Sequence, residues 1–388
     1  MAKKLRVGIL FGGRSGEHEV SLLSAASVLN AIDRKKFDVV PIGITKEGHW
    51  LAAADAHGLL EGDAGASASR LRAGDPEATP GARLLEKGMP MLLAPEPGPQ
   101  VPADRSIDVV FPVLHGTFGE DGTIQGLFEL AGIAYVGSGV LGSSAGMDKD
   151  VMKRLFKESG LPIVKHVTIL RSEWEKSPRK VFTKIEAALK YPVFVKPANL
   201  GSSVGISKAH DRKELGPALT EAAKFDRKLV IEQGVGGAMK RGKLEPKARE
   251  LEVAVLGNDM PEASVVGEII PGKEFYDYEA KYLSEGSIPV IPAHLTRVEA
   301  KLIREMAVKA FQACDLAGLA RVDFLMEPGG KRRIYLNEVN TLPGFTKISM
   351  YPKLWEATGL SYSDLITRLI ELALERQQEK NRNTYSRS

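Results

Sequence analysis

The stretch "LRVGILF" (5–11), followed by "VSLLSAASVLNAI" (20–32) and "FDVVPIGI" (37–44), decides the fold class. The first and third runs have the apolar character of buried strands, and the middle run is typical of a helix. The same alternation returns in three further runs: "IDVVFPVLH" (107–115), "IQGLFELAG" (124–132) and "IAYVGS" (133–138). Strands that alternate with helices in this way predict an α/β fold with a largely parallel sheet.

A long insert separates these two groups of elements. Residues 52–105 are rich in Ala, Gly and Pro, which predicts a flexible insert whose middle is a mobile surface loop. An edge hairpin is an alternative for "GARLLEKGMPMLLAP" (81–95). We assign no chemistry to the insert.

The length of the chain predicts more than one domain. A chain of 388 residues exceeds the size at which single cores stop growing, so two or three domains are expected. A new unit begins at the helix-like run "MDKDVMKRLFKESGLPI" (147–163). The predicted ranges are an amino-terminal α/β domain, a central unit, a carboxy-terminal unit and a polar tail that frays: 1–147, 148–233, 234–375 and 376–388.

The composition excludes several classes of protein. The chain is 43% hydrophobic and 26% charged, and its formal net charge is only +4. Binding to nucleic acid or to a membrane surface therefore gains little support. No run approaches the roughly 18 apolar residues of a membrane span, and the amino terminus runs straight into a strand, so we expect a soluble, cytoplasmic protein. The single cysteine, Cys314, excludes an internal disulfide and is expected to be a small core residue.

Polar residues interrupt two apolar runs near the carboxyl end. "YLNEVNTLPGF" (335–345) carries Glu338 and Asn340 two positions apart, so both side chains face the same way in a strand. "ARVDFLM" (320–326) carries Asp323. Taken singly, each is more simply explained as a buried polar residue satisfied by backbone groups or arginines. Together they are the hard oxygen ligands that Mg²⁺ takes from a protein alongside phosphate oxygens. We therefore predict two Mg²⁺ ions bridged by Glu338, one also held by Asp323 and the other by Asn340.

A metal site of this kind usually serves a nucleotide, and "VKPANLGSSVGI" (195–206) offers groups for its phosphates. The strand-like part ends at Lys196, and a loop of small residues follows: Gly201, Ser202, Ser203 and Gly205. Glycines let backbone N–H groups approach phosphate oxygens. Alone, the pattern is weak, and it is not a P-loop because no G-x-x-x-x-G-K-[ST] occurs. Lys149 is a further cation that could contact the phosphates. The simpler interpretation is a lysine exposed to solvent.

At this point the motifs resemble a known family. Five of them match the ATP-grasp carboxylate–amine ligases in order and spacing: "MDK" (147–149), "FVKPANLGSSVGI" (194–206), "VIEQGV" (230–235), "RVDF" (321–324) and "NEVNTLPGF" (337–345). Three more narrow the resemblance to the D-alanine–D-alanine ligases: "GGRSGEHEVSLLSA" (12–25), "LHGTFGEDGTIQG" (114–126) and "YDYEAKY" (276–282). The insert at 52–105 resembles the longer form of this family.

The resemblance implies an amino-terminal parallel-sheet α/β domain followed by a two-part ATP-grasp fold, with ATP between the two parts. It assigns six residues to the nucleotide: Lys149, Lys196 and Ser203 at the phosphates, Glu232 with Val235 at the adenine, and Glu250 at the ribose hydroxyls. Asp323, Glu338 and Asn340 fall on the family's magnesium ligands. Mn²⁺ is the alternative metal.

The resemblance also implies a site for the first D-alanine. Glu17 matches the partner of its ammonium group, with helix capping as the alternative role. His115 and Glu120 lie near the same pocket. The alternative for His115 is a purely structural role, as a histidine in a turn whose ring nitrogens are hydrogen-bonded. The second substrate's carboxylate is assigned to residues after a glycine turn: Gly344, Ser349 and Met350.

Chemical roles follow for the remaining residues. Lys281 would act at the γ-phosphate, and Arg321 would stabilise the oxyanion of the tetrahedral intermediate, with a structural ion pair to a core acid as its alternative. A hydrogen-bonded set across three segments would orient the second substrate: Glu17, Ser202 and Tyr282. The segment 271–289, which carries Lys281 and Tyr282, would be a lid that excludes water.

The implied reaction is ATP-dependent ligation of two D-alanine molecules through a D-alanyl phosphate, with release of ADP and phosphate, for peptidoglycan precursors. The family expectation is a homodimer joined through the amino-terminal domain. A D-alanine–D-lactate ligase is the first alternative, and Tyr282 argues against it because depsipeptide-forming members depart from "EAKY". An ATP-grasp enzyme of another pathway leaves the first 145 residues unexplained. A regulatory or scaffold protein with a dead site is opposed by the intact lysines and metal ligands.

Overall fold

The structure is a computed structural model with mixed α/β architecture, which confirms the predicted fold class. The residues that it describes are 4–51, 53–60, 106–201, 203–237, 239–240, 243–244, 246–270, 287–329, 332–346 and 348–384. Three main sheets lie within the three predicted domain ranges, whose boundaries stay predictions. None of the helices in these residues is long and apolar enough to cross a membrane.

The amino-terminal sheet has five strands in the order β3-β2-β1-β4-β5, and only the β2–β3 pair is antiparallel. Its strands are β1 (Leu5–Gly12), β2 (Phe37–Ile44), β3 (Trp50–Leu51), β4 (Val109–Val113) and β5 (Ala134–Tyr135). The accompanying helices are α1 (His18–Ala31), α2 (Ala53–Leu60), α3 (Thr123–Ala131) and α4 (Val140–Met147). Six consecutive residues of β1 are buried, as expected for a parallel strand covered on both faces.

The start of the insert is helical. Residues 53–60 form α2, a helix that the sequence analysis did not predict. The helix packs on β2 because Ala56 and Leu59 are buried and lie against Gly43, where a side chain would leave them no room. The rest of the insert, 61–105 with the suggested hairpin at 81–95, lies outside the described residues.

The central sheet is antiparallel, with the order β6-β9-β7-β8. Its strands are β6 (His166–Leu170), β7 (Val193–Pro197), β8 (Ser207–Ala209) and β9 (Lys228–Gln233), followed by a two-stranded ribbon of β10 (Met239–Lys240) and β11 (Lys243–Leu244). Its helices are α5 (Lys149–Glu158), α6 (Arg171–Lys176), α7 (Pro178–Ala188) and α8 (Arg212–Phe225). Asp148 caps α5 by accepting hydrogen bonds from the N–H groups of Asp150 and Val151, which holds Lys149 at the first helical position.

The carboxy-terminal sheet is also antiparallel, with the order β14-β13-β12-β15-β16. Its strands are β12 (Arg249–Gly257), β13 (Glu262–Ile270), β14 (Ile288–Val290), β15 (Gly318–Met326) and β16 (Ile334–Asn340). Its helices are α9 (Arg297–Ala313), α10 (Met350–Thr358) and α11 (Tyr362–Lys380). Cys314, directly after α9, is buried, which confirms the prediction that it belongs to the core; burial raises the pKa of its thiol to about 12.

The last helix joins both ends of the chain in one core. Leu365 and Leu369 of α11 are fully buried in the same cluster as Val7 and Ile9 of β1. The helix continues through the beginning of the predicted polar tail, because Arg376 is anchored: it donates hydrogen bonds to backbone oxygens of the amino-terminal domain, and its guanidinium carbon lies 4.3 Å from the Tyr135 ring centroid. The expectation that the tail frays from residue 376 is therefore wrong for residues 376–380.

Candidate active site

Two neighbouring strands aim their acids at one place. In the antiparallel pair of β15 and β16, Asp323 lies opposite Glu338 and Arg321 lies opposite Asn340. Residues directly opposite each other share a face of the sheet and are close neighbours. The two acidic runs of the sequence therefore form adjacent strands with a shared polar face.

Asp323 is held by a guanidinium and an amide. Arg321 Nε donates to Asp323 Oδ1 and Arg321 Nη2 donates to Asp323 Oδ2, both at 2.7 Å. Asn340 Nδ2 donates to Asp323 Oδ2 at 2.9 Å. A forked arginine–carboxylate contact of this kind fixes both side chains in orientation as well as in charge. The ion pair between Arg321 and an acid, which the sequence left open as an alternative role, is present in the structure.

A third acid belongs to the same row, and the sequence analysis missed it. Glu252 of β12 lies opposite Asp323 on the other side of β15. Its side chain is buried, and its Oε2 is 3.2 Å from Arg321 Nε. Three carboxylates therefore cross three adjacent strands in one line, with a single guanidinium between two of them.

The donor set fits a hard cation. Asp323 and Glu338 repel each other unless positive charge lies between them, and Lys149 Nζ is 4.0 Å from Glu338 Oε2. In the part of the chain that the structure describes, no group of three His, Cys, Asp or Glu side chains could hold a metal by itself. Two carboxylates with the amide oxygen of Asn340 are a partial set of the kind that Mg²⁺ takes when phosphate oxygens and water complete its octahedron.

Across the cleft, one carboxylate joins two lysines. Glu232 Oε1 is 2.8 Å from Lys153 Nζ, and Glu232 Oε2 is 2.7 Å from Lys196 Nζ. Lys153 is completely buried, and it also donates to the backbone oxygen of Asn337 at 3.0 Å. Lys153 on α5 therefore connects β9 of the central sheet to β16 of the carboxy-terminal sheet.

The charges of this cluster are mutually stabilised. Burial raises the pKa of the Glu232 carboxyl, but the two lysines outweigh burial and lower that pKa to about 2. Burial lowers the pKa of Lys196, but Glu232, Glu338 and Glu250 outweigh it and raise that pKa. Glu232 thus stays an anion at neutral pH, and Lys196 stays a cation at the edge of the cleft.

The phosphate-loop residues lie between these two clusters. Lys149 Nζ donates to the backbone oxygen of Leu200 at 2.8 Å, so the helix start is tied to the loop. Ser203 and Gly205 have positive φ angles of 60° and 70°, which turn the loop back towards β8. Ser202 lies outside the described residues.

A single cleft collects most of the predicted nucleotide-binding and metal-binding groups. Seven of them line it: Lys196, Ser203, Glu232, Val235, Glu250, Asp323 and Glu338. A smaller adjoining cavity is lined by Glu120, Lys149, Gly201, Glu338 and Asn340, among others. Glu338 and Ser203 line both spaces, so the cleft continues from the central sheet to the amino-terminal domain.

Glu17 lies between two glycines at the amino-terminal side of this cavity. A Cβ atom at Gly201 would be 2.8 Å from Glu17 Oε2, and one at Gly116 would be 2.6 Å from the same oxygen. The Glu17 side chain is buried although it carries a carboxylate. It precedes α1 without a side-chain capping hydrogen bond, which argues against the alternative role of helix cap.

His115 links the amino-terminal domain to the turn after β16. Its Nδ1 is 3.0 Å from Leu342 O and its Nε2 is 3.1 Å from Ser24 Oγ, while Glu120 Oε1 is 3.8 Å from Nδ1. Burial lowers the pKa of His115, but Glu120 and Glu17 outweigh it and raise that pKa. Burial, together with the charge of Glu17, raises the pKa of Glu120 against the opposing effect of His115. The three side chains therefore form one coupled group.

The residues assigned to the second carboxylate lie just beyond this group. Phe345, which follows Gly344, donates its N–H to Ser24 Oγ at 3.2 Å. Ser349 is the N-cap residue of α10 and its Oγ accepts from Thr346 N–H at 3.0 Å; Met350 is the first residue of that helix and is buried. Backbone N–H groups at a helix start suit a carboxylate.

Three predicted site residues cannot be located. Ser202, Lys281 and Tyr282 lie outside the described residues, as does 271–286, most of the predicted lid. Two other residues belong to the site although the sequence analysis did not name them, namely Lys153 and Glu252. Lys153 follows Lys149 at helical i, i+4 spacing, and Glu252 follows Glu250 at strand i, i+2 spacing, so each could have been found as a same-face neighbour of a named residue.

Two protein-family models match the chain. The model described as "D-ala D-ala ligase N-terminus" matches residues 6–138, and the one described as "D-ala D-ala ligase C-terminus" matches residues 155–371. The second match alone covers more than half of the chain and includes the strands β12, β15 and β16.

Named relatives match over nearly their whole length. A D-alanine–D-alanine ligase of Natranaerobius thermophilus is 50% identical over 383 residues, 98% of each chain. One from Geobacillus thermodenitrificans is 49% identical over 386 residues, 99% of each chain. Among solved structures, the D-alanine–D-alanine ligase of Coxiella burnetii has a TM-score of 0.76 at 34% identity, covering 98% of this chain and 97% of that one. The VanG D-Ala:D-Ser ligase of Enterococcus faecalis has a TM-score of 0.76 at 35% identity, covering 96% and 100%.

Proposed function

The chain belongs to the D-alanine–D-alanine ligase family, and from that premise we propose that it joins two D-alanine molecules to D-alanyl-D-alanine, using ATP. The observation that supports this proposal most is the cleft, in which a lysine-bearing strand and two acid-bearing strands face one space. The family's two-part ATP-grasp fold corresponds to the central and carboxy-terminal sheets.

The reaction has to turn a carboxylate oxygen into a leaving group. In the proposed sequence, a carboxylate oxygen of the first D-alanine attacks the γ-phosphorus of ATP, and the bond to ADP breaks. The amine of the second D-alanine then attacks the carbonyl carbon of the D-alanyl phosphate, and phosphate leaves with its bonding electrons. Phosphoryl transfer depends on positioning and on cationic stabilisation more than on covalent help from the protein.

The nucleotide is the proposed ligand of the cleft. Lys149 and Lys196 contribute positive charge at the phosphates, and the loop at Ser203 contributes backbone N–H groups. Glu232 with Val235 lies at the adenine in this proposal, and Glu250 at the ribose. The pairing of Glu232 with Lys196 supports a fixed orientation for both side chains.

The metal in this proposal is Mg²⁺, with Asp323, Glu338 and Asn340 as its protein ligands and Mn²⁺ as a substitute. When bound, two such ions would neutralise the phosphate oxygens and the charge that develops during transfer. The opposed strands that carry these residues support the assignment. Lys281 is assigned to the γ-phosphate on the sequence motif alone.

The first D-alanine is proposed to bind beside Glu17, whose buried carboxylate suits an ammonium group that must be held and kept unreactive. His115 and Glu120 complete this pocket, and the contacts among them support a shared role. The carboxylate of the second D-alanine binds at the turn from Gly344 to the start of α10 at Ser349 and Met350. This pairing of a carboxylate with a helix start follows ordinary electrostatics.

Arg321 is proposed to stabilise the oxyanion formed when the amine attacks. Its guanidinium lies beside the metal ligand Asp323, where a carbonyl held near the γ-phosphate would come within reach. Donors of this kind are typically worth about 10²–10³ in kcat. The set of Glu17, Ser202 and Tyr282 would orient the second substrate, and the lid at 271–289 would exclude water from the acyl phosphate.

A homodimer joined through the amino-terminal domain and a cytoplasmic location are parts of the same proposal, as is a role in making peptidoglycan precursors. Family membership supports all three. Size-exclusion chromatography with light scattering measures the dimer: we expect a mass of about twice that of one chain.

The experiment that tests the activity compares second substrates. The purified protein with ATP and Mg²⁺ is given D-alanine alone, or D-alanine with either D-lactate or D-serine, near pH 7, and the products are identified by mass spectrometry. We expect D-alanyl-D-alanine as the main product, with phosphate release that requires D-alanine. D-serine is included because one structural neighbour is a D-Ala:D-Ser ligase. A main product containing D-lactate or D-serine, or phosphate release without D-alanine, would contradict the proposal.

A further inference from the structure

We propose that Glu252 is a positioning residue that holds the Arg321 guanidinium when Asp323 binds Mg²⁺. The inference deepens the proposed function and rests on it, because it takes Asp323 as a metal ligand. The structural starting point is that one guanidinium contacts two carboxylates on adjacent strands: the partly buried Asp323 with two hydrogen bonds of 2.7 Å, and the buried Glu252 at 3.2 Å.

The two partners of Asp323 compete. In the structure, Arg321 engages both of its carboxylate oxygens. A cation bound to either oxygen would draw electron density from the hydrogen bonds and would also repel the guanidinium. Metal binding at Asp323 therefore weakens the contact between Asp323 and Arg321, and Arg321 needs another counter-ion in this partly buried position.

Glu252 is in place to be that counter-ion. It lies opposite Asp323 on β12, and it is buried. The residue opposite Arg321 on the same strand is Ala254, a small side chain that leaves the guanidinium space on the Glu252 side. Arg321 can thus shift its contact from one carboxylate to the next without changing strands or crossing the cleft.

The charges of these three side chains and the metal balance in this arrangement. Before the metal binds, Arg321 is shared by Glu252 and Asp323. After it binds, Asp323 is paired with the metal and Glu252 with Arg321, so each carboxylate has its own cation. Glu252 therefore keeps Arg321 beside the reacting carbonyl and lowers the cost of metal binding in the same step.

The test measures metal binding directly. Mn²⁺ binding to the protein with ADP is followed by electron paramagnetic resonance, for wild type, Glu252→Gln and Glu252→Asp. Losing a charge-assisted partner should weaken Mn²⁺ binding roughly tenfold to hundredfold in Glu252→Gln, while Glu252→Asp keeps the charge and most of the affinity. The free Mg²⁺ concentration for half-maximal D-alanine-dependent phosphate release should rise in parallel.

The matched control is Glu268→Gln. Glu268 lies in the same sheet, is also buried, and makes a similar forked contact with an arginine: Arg249 Nε and Nη2 donate to it at 2.8 and 2.6 Å. This variant removes a buried carboxylate from an arginine pair away from the metal ligands. We expect its Mn²⁺ affinity to equal that of wild type.

A double-mutant cycle separates positioning from simple loss of charge. If Glu252 acts through Arg321, the effect of Glu252→Gln on Mn²⁺ binding should disappear when Arg321 is already Gln. An equal effect in both backgrounds, or wild-type Mn²⁺ affinity in Glu252→Gln, would overturn the inference. Failure of the wild-type protein to bind Mn²⁺ with ADP, or to form dipeptide, would instead overturn the proposed function.

Discussion

Asp323 and Glu338 lie directly opposite each other on β15 and β16, with Lys149 Nζ 4.0 Å from Glu338 Oε2. Two carboxylates that face each other repel. This repulsion destabilises the pairing of β15 with β16 unless a cation lies near the two carboxylates. The same relation is the reason that we propose metal ions at this site. The role of Glu338 is therefore the first to test.

Glu338→Gln should abolish dipeptide formation while leaving the fold intact. The substitution keeps the shape of the side chain but removes one negative charge from between the proposed ions, and with it the bridge that sets the γ-phosphate. Turnover is measured as D-alanine-dependent phosphate release, and folding by circular dichroism.

Glu327→Gln is the control for this change. Glu327 directly follows β15 and accepts a hydrogen bond from Tyr335 at 2.9 Å, outside the row of cleft acids. It should retain activity. Near-wild-type turnover in Glu338→Gln would show that Glu338 is not a ligand of the catalytic metal ions.

Gly201→Ala should weaken binding of the first D-alanine. A methyl group there would lie 2.8 Å from Glu17 Oε2, so the carboxylate has to move. Because the obstructed atom is the end of a flexible side chain, the free energy of unfolding should change little, while the KM for D-alanine should rise more than the KM for ATP. Steady-state kinetics with each substrate varied in turn measures the difference.

Gly126→Ala provides the comparison for that variant. Gly126 is in α3, and a Cβ atom there meets nothing within 4 Å. This change should leave both KM values unchanged and raise the free energy of unfolding by about 0.5–1 kcal/mol. If Gly201→Ala raised the KM for D-alanine and the KM for ATP equally, Glu17 would not be part of the D-alanine site.

The acid sensitivity of the fold should depend on Glu232. Burial raises the pKa of its carboxyl, but Lys153 and Lys196 lower it to about 2, below the ordinary 4.5. The unfolded chain thus binds the proton first, so this stabilisation is fully present above the unfolded pKa and is lost as pH falls through the folded value. Urea unfolding at pH values from about 5 to about 3 should show a shallower loss of stability in Glu232→Gln than in wild type.

Glu221→Gln, which changes an exposed carboxylate of α8 paired with Lys224 at 2.6 Å, should leave the wild-type slope unchanged. If Glu232→Gln lost stability with falling pH as steeply as wild type, the pairing of Glu232 with the two lysines would not be the cause of the protein's acid sensitivity.

The sequence predicted those parts of the fold that local patterns determine. Strands β12 and β13 coincide with the runs "RELEVAVLG" (249–257) and "EASVVGEII" (262–270), because apolar alternation between turn residues is a local signal. The shared face of Glu338 and Asn340 followed from the same alternation, whereas the position of Asp323 opposite Glu338 depends on strand register.

The residues that the sequence analysis missed depend on contacts between distant segments. Glu252 belongs to the site only because β12 pairs with β15 in a register that places it opposite Asp323. Lys153 is buried only because Glu232, on another element, neutralises it; in a helix with many charged residues its position looks exposed. Local spacing marks each of them as a same-face neighbour of a named residue, but the partner across the fold cannot be read from that spacing.

Tyr282→Phe should change the choice of second substrate. In the proposal, its hydroxyl completes the set with Glu17 and Ser202, and removing it leaves a partner poorly satisfied at a cost of roughly 1–3 kcal/mol. Dipeptide formation should fall, and D-lactate should compete better, most of all at low pH where the amine of D-alanine is protonated. Both products are measured from about pH 6 to about pH 9. An unchanged product ratio at every pH would show that Tyr282 does not select the nucleophile.

The most direct test of the central claim follows the oxygen atoms. D-alanine labelled with ¹⁸O in both carboxylate oxygens is supplied with unlabelled ATP, and the products are analysed by mass spectrometry. Reaction through D-alanyl phosphate transfers one labelled oxygen to each phosphate released, with one dipeptide formed per phosphate. Phosphate that carries no label while dipeptide accumulates would contradict the account.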